Sequence, residues 1–201
     1  DLKIHQGDLI AATSGRSFWI LDDLALLQQY RPDQNNFALY KPENALLTNG
    51  SSPLNRSNPD FDGMGKSAGV NPANGIVLYY HLPEENKNET LTLEVKDAAG
   101  NLVRSFSSKK DGLFSEWEGG PSEAPTLSTK KGLNRFVWDM RYPTLAGIPG
   151  TYFENSFAGH KAAPGSYTFS LKWGSRETGT AADILPNPLY NVAPATYAEY
   201  H

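Results

Sequence analysis

The sequence predicts an all-β protein whose main body is a β-sandwich, and three observations carry that reading. The first is period-two alternation: Leu91, Leu93 and Val95 alternate with Thr92, Glu94 and Lys96, and Tyr167, Phe169, Leu171 and Trp173 with Thr168, Ser170 and Lys172. Side chains along a strand point to opposite faces, so each run has a core face and a wet face. The second is the spacing of about seven short strands with turn chemistry between them, the pattern of a sandwich. The third is the lack of any comparable helix-period segment.

Taken in order, Asp8–Thr13 and Ser17–Leu21 are short apolar strands joined by Ser14-Gly15-Arg16, a tight hairpin that ends at Asp22-Asp23. A lone hairpin is marginal in water and must pack on something. Leu24–Gln29 fits a helix of one or two turns, and Phe37–Lys41 a weak strand. Ile76–Leu82 is nearly continuous apolar sequence and reads as a more central strand. Leu91–Lys96 and Leu102–Phe106 flank a Gly-bearing loop that suits a hairpin. Phe136, Trp138, Met140 and Tyr142 alternate with polar neighbours, and Thr178–Leu185 is a further weak strand. Pro194–Tyr200 could begin a helix. Three stretches, Asn49–Asn74, Lys109–Gly132 and Leu145–Gly165, read as long loops; loops of that length are usually functional or inserted. The expected division is 1–34 for the hairpin and linker, 35–192 for the sandwich, and 193–201 for a tail.

Composition excludes several classes of function. The 201 residues carry 18 basic and 22 acidic side chains, a formal charge of −4, which disfavours a nucleic-acid partner. No Cys is present, so a disulfide framework and a cysteine nucleophile are excluded. No apolar run approaches the roughly 18 residues of a membrane span. The four histidines, His5, His81, His160 and His201, lie far apart without ligand spacing, and Asn58–Gly63 lacks the ligands of a calcium loop. We therefore expect no metal, no cofactor and no catalytic residue. The 18 Gly and 14 Pro mark a turn-rich chain. Because it opens on Asp1 without Met, it is expected to be a piece of a longer protein.

Gly7–Asp23, containing Gly15-Arg-Ser-Phe-Trp-Ile-Leu-Asp-Asp23, resembles the last blade of bacterial BNR/Asp-box repeat propellers, a glycosyl-hydrolase-like family related to the sortilin propeller. Asn71-Pro72, Gly75, Gly132–Pro143 and Ala163–Thr168 continue the likeness in order and resemble the immunoglobulin-like or fibronectin-III-like domain that follows such propellers. The Asp-box itself does not occur here. The resemblance implies an exported, periplasmic or extracellular protein in which this chain braces the propeller, with the rest of that propeller as its partner. Arg16, Phe18, Trp19, Asp22 and Asp23 would then lie at the propeller interface.

Two other readings compete. A carbohydrate-binding module would stack a glycan or polysaccharide on an exposed aromatic, for which Trp117 and Tyr152, both in long loops, are the candidates. A glycosidase fragment would need two carboxyls about 5–10 Å apart. Asp22/Asp23, Glu84/Glu85 and Glu116/Glu118 are the close pairs, each equally suited to a turn or a solvated loop.

Overall fold

The computed structural model describes residues 1–5, 7–15, 17–21, 24–33, 35–49, 52, 55, 71–85, 88–151, 154 and 156–199. The described residues are mostly strand, as the alternation predicts. None of their helices is long and apolar enough to cross a membrane.

The first thirty residues form a small antiparallel sheet of β1 (Leu2–His5), β2 (Asp8–Ala12) and β3 (Phe18–Leu21), in that order. The hairpin between β2 and β3 is the expected one; Gly15 takes a φ of 78° in it, a conformation glycine adopts without cost. The first strand was not anticipated, because Leu2-Lys-Ile-His5 is too short to show a period. α1 (Leu24–Gln29) follows, and the Leu24 amide donates to the Gly7 carbonyl at 3.1 Å. At its far end Gln29 clamps the backbone of Lys41. Its Nε2 donates to the Lys41 carbonyl at 3.0 Å, and its Oε1 accepts from the Lys41 amide at 2.9 Å. The carboxamide thus imitates a strand partner and ties residues 24–29 to the body of the protein. Gln29→Ala is expected to remove about 1–2 kcal/mol of local stability. Amide exchange at Lys41 and in α1 should accelerate while the remote strands keep their protection; unchanged exchange at Lys41 would contradict the clamp.

The body contains β4 (Ala38–Leu39), β5 (Ala45–Leu46), β6 (Ile76–Leu82), β7 (Leu91–Lys96), β8 (Leu102–Ser107), β9 (Gly132–Trp138), β10 (Gly165–Trp173) and β11 (Arg176–Leu185). Five of these form one sheet in the order β5-β11-β10-β7-β8, and three form another in the order β4-β6-β9. Pairing is antiparallel except between β11 and β5. Side chains of the two sheets meet in one apolar cluster. Phe106 of β8 lies edge-on to Phe136 of β9 with ring centroids 4.7 Å apart, and Trp138 of β9 meets Tyr167 and Phe169 of β10 at 5.2 and 5.7 Å. Such edge-to-face pairs add about 0.5–1.5 kcal/mol beyond the area they bury. The predicted inward residues of β7 and β10 are all buried. On the outer face, hydrogen bonds from Lys96 and then Lys172 hold the Glu94 carboxyl below its ordinary pKa.

The alternation from Phe136 to Tyr142 does not correspond to one continuous strand. β9 stops at Trp138, and Met140 turns the chain with a φ of 54°, rare for a residue with a side chain. Met140 is fully buried, so core packing holds it in that conformation. The expected helix near the end is present as α2 (Pro194–Glu199). Between 109 and 131 no strand forms, and Leu127 anchors the stretch to the core as a buried side chain whose amide donates to the Ser107 carbonyl at 2.9 Å.

Candidate functional site

The turn after β9 is tied down by several hydrogen bonds. Trp138 Nε1 donates to the Arg141 carbonyl at 3.1 Å, closing the turn around Met140. Arg141 Nη1 donates to the Gly159 carbonyl at 2.7 Å, and Arg141 forms a β-bridge with Lys161. The Tyr142 and His160 rings stack 4.1 Å apart at 17°. Lys161 reaches on to the Thr48 carbonyl and to Asn49 Oδ1. Desolvation, and then the like charge of Arg141, push its ammonium pKa down. Residues 138–143, the end of the Gly132–Pro143 stretch, therefore fasten β9 to the returning chain at 159–162.

Arg104 approaches this turn from β8. The register slips between Val95 and Lys96, so Arg104 pairs with Val95 while Lys96 pairs with Leu102, skipping Val103. Such a bulge re-aims side chains. Arg104 faces inward beside Phe106, is 8% exposed, and stacks its guanidinium 4.8 Å from the Phe106 ring centre. Its Nη1 donates to Asp139 Oδ1 at 3.0 Å and to the Arg141 carbonyl at 3.4 Å. The Asp139 side chain is 48% exposed and opens outward.

Above this pair lies a groove of about 450 Å³. Its walls are the loop 119–125 on one side and residues 156–158 on the other, with Arg104, Asp139 and Thr144 between them. Trp117 stands behind the first wall. A Cβ on Gly120 would come within 2.5 Å of Trp117 Cε2, and one on Gly147 within 2.7 Å of its Cζ2. Glycine at 120 and 147 is what lets the indole lie between the two loops. The ring is half-buried, and its Nε1 is buried without a hydrogen bond among the described residues. Trp117 is thus a strut between loops, with its faces partly closed off, more than an open stacking platform.

The other residues singled out by sequence are scattered. Phe18 and Trp19 are 76% and 58% exposed on β3. Arg16, Asp22, Asp23 and Tyr152 lie outside the described residues, as does Asn58–Gly63. Glu84 pairs with Arg176 at 3.1 Å, and Glu116 and Glu118 are exposed in their loop. His81 is buried with Nδ1 2.7 Å from the Asn36 carbonyl, a satisfied core histidine. Among the described residues no group of three or more His, Asp or Glu side chains is arranged to hold a metal. The sequence reading missed Arg104 and Asp139. The available signal was an arginine between Leu102 and Phe106 on the apolar face of a strand, since a buried charge demands a partner.

Fold and site together define an all-β protein with an aromatic-rich core and a polar groove beside an ion pair. Compared with known protein families, with curated proteins and with solved structures, the chain matches none. The family resemblance rests on Gly7–Asp23, Asn71-Pro72, Gly75, Gly132–Pro143 and Ala163–Thr168.

Proposed function

We propose that the chain is a non-catalytic accessory domain, an immunoglobulin-like β-sandwich that braces an exported, glycosyl-hydrolase-like β-propeller through the small N-terminal sheet. The observation that carries this reading is the composition of one face of that sheet. Directly paired residues in antiparallel strands share a face. The register therefore places Leu2, Ala11 and Trp19 side by side, and Ile4, Leu9 and Leu21 beside them. No charged residue interrupts this face. Leu2, Ile4, Trp19 and Leu21 are 69%, 63%, 58% and 47% exposed. Contiguous apolar surface of this kind marks an interaction site, and a blade-like sheet stacked on its neighbour would cover it.

The test compares the 201-residue chain with a longer protein carrying the propeller, each with Ile4→Asp and Leu21→Asp. Melting of the 201-residue chain should shift little, because exposed substitutions rarely exceed about 0.5 kcal/mol. The longer protein should lose several-fold more, since buried charges would then face the neighbouring blade. Equal, small shifts in both proteins would sink the proposal.

A further inference from the structure

We infer that the groove above Arg104 and Asp139 binds a neutral saccharide of one or two sugar units. The inference is independent of the bracing role, which uses the opposite end of the chain's fold order and none of these side chains.

Three observations converge on that ligand class. The volume of about 450 Å³ falls within the roughly 300–1,000 Å³ range of small-molecule sites. Arg104 is more than nine-tenths buried, lines the groove, and spends only Nη1 on the protein; its Nε and Nη2 make no hydrogen bond among the described residues. A buried guanidinium with unused donors at the floor of a groove is set to bond what enters. Asp139 Oδ2, beside it, makes no hydrogen bond among the described residues either. A charged donor next to a charged acceptor is the arrangement that a vicinal diol satisfies, each hydroxyl both giving and taking a hydrogen bond.

The charge balance argues against an anion. Arg104 is already compensated by Asp139, and Glu123 on the groove wall is compensated by Lys110 at 3.1 Å. Among the described residues that line the groove, a ligand carboxylate would meet two acidic side chains and no cation besides the paired Arg104. Ser122 and Thr144 add hydroxyls to the walls. Pro121 and Pro125 restrict the wall loop, and Trp117 wedged against Gly120 and Gly147 braces it, so less ordering entropy opposes binding.

Saturation-transfer NMR on the intact chain would use glucose, galactose, mannose, N-acetylglucosamine and cellobiose as probes, with glucuronate and an acetylated tripeptide as charged comparators. At least one neutral sugar should show transfer. Asp139→Ala should weaken it about ten-fold or more, the worth of one hydrogen bond to a charged group. Ala158→Phe, at an exposed wall position away from the ion pair, should abolish it by filling the groove. If Asp139→Ala does not fold, Ala158→Phe decides alone. No transfer to any neutral sugar, transfer undiminished in Ala158→Phe, or preference for glucuronate or the peptide over every neutral sugar would overturn the assignment.

Discussion

Trp138→Ala should lower the unfolding free energy by about 3–5 kcal/mol, the cost of emptying a large aromatic site in a packed core. The indole is fully buried and touches the opposite sheet through Tyr167 and Phe169. Its loss also removes the Nε1 hydrogen bond to the Arg141 carbonyl, leaving that oxygen the longer 3.4 Å bond from Arg104 Nη1. Collapse of the hole is restricted, because Gly75 already packs so closely on the Trp138 backbone that a Cβ there would collide with its carbonyl. Domains of this size hold only about 5–15 kcal/mol in total, so the variant should sit near its unfolding threshold. Urea denaturation measures the loss. Trp117→Ala serves as the comparison; that ring is half-buried and its Nε1 has no hydrogen bond to lose, so it should cost less than half as much. A loss below about 1 kcal/mol for Trp138→Ala would mean that the two sheets do not share the core described.

Exposure to alkali should unfold the protein between about pH 10 and 12. Burial raises the phenol pKa of Tyr40, Tyr80 and Tyr167, the last pushed up to about 12 from 10.0. Tyr80 and Tyr167 sit in the core with their hydroxyls donating to the Ser128 and Ala163 carbonyls at 2.7 and 2.8 Å, bonds a phenolate could not make. A group whose folded pKa is raised contributes its stability below the unfolded pKa and loses it as pH climbs to the folded value. For Tyr167 alone that amounts to roughly 2–3 kcal/mol. Tyrosinate absorbance followed with far-ultraviolet circular dichroism should show an early group of exposed tyrosines, then a cooperative step in which the buried ones ionise as strand signal disappears. Tyr167→Phe should move that step to higher pH. All ten tyrosines ionising together near pH 10 with the fold intact would contradict the core placement.

Much of the secondary structure was legible because its cause is local. Leu91–Val95 and Tyr167–Trp173 alternate in sequence and alternate in burial. The hairpin after Ala12 follows from Gly15, and α1 and α2 fall where short apolar segments follow turn residues. The strand read through Met140 failed because the left-handed turn there is imposed by packing, which leaves no mark on the pattern. β1 and β5 are too short to display a period, whereas β4 falls within the expected weak strand Phe37–Lys41.

The candidate site was legible only in fragments. Trp117 stood out as an aromatic among glycines and acids, yet its role depends on Gly147, thirty residues on in the chain and in contact only through the fold. Arg104 lies in β8 and Asp139 directly after β9, strands of different sheets, and the bulge at Val103 that aims Arg104 inward has no glycine or proline to announce it.

By itself the sequence determined that this protein is built from strands, that it lacks cysteine chemistry, and which faces of its clearest strands turn inward; backbone geometry and the two-residue period are enough for that. Tertiary structure alone decided the sheet order, the break after Trp138, the open apolar face of the N-terminal sheet and the groove over an ion pair. Each of those depends on residues far apart in the chain, and a contact between distant residues has no local energetic signature for a pattern to reveal.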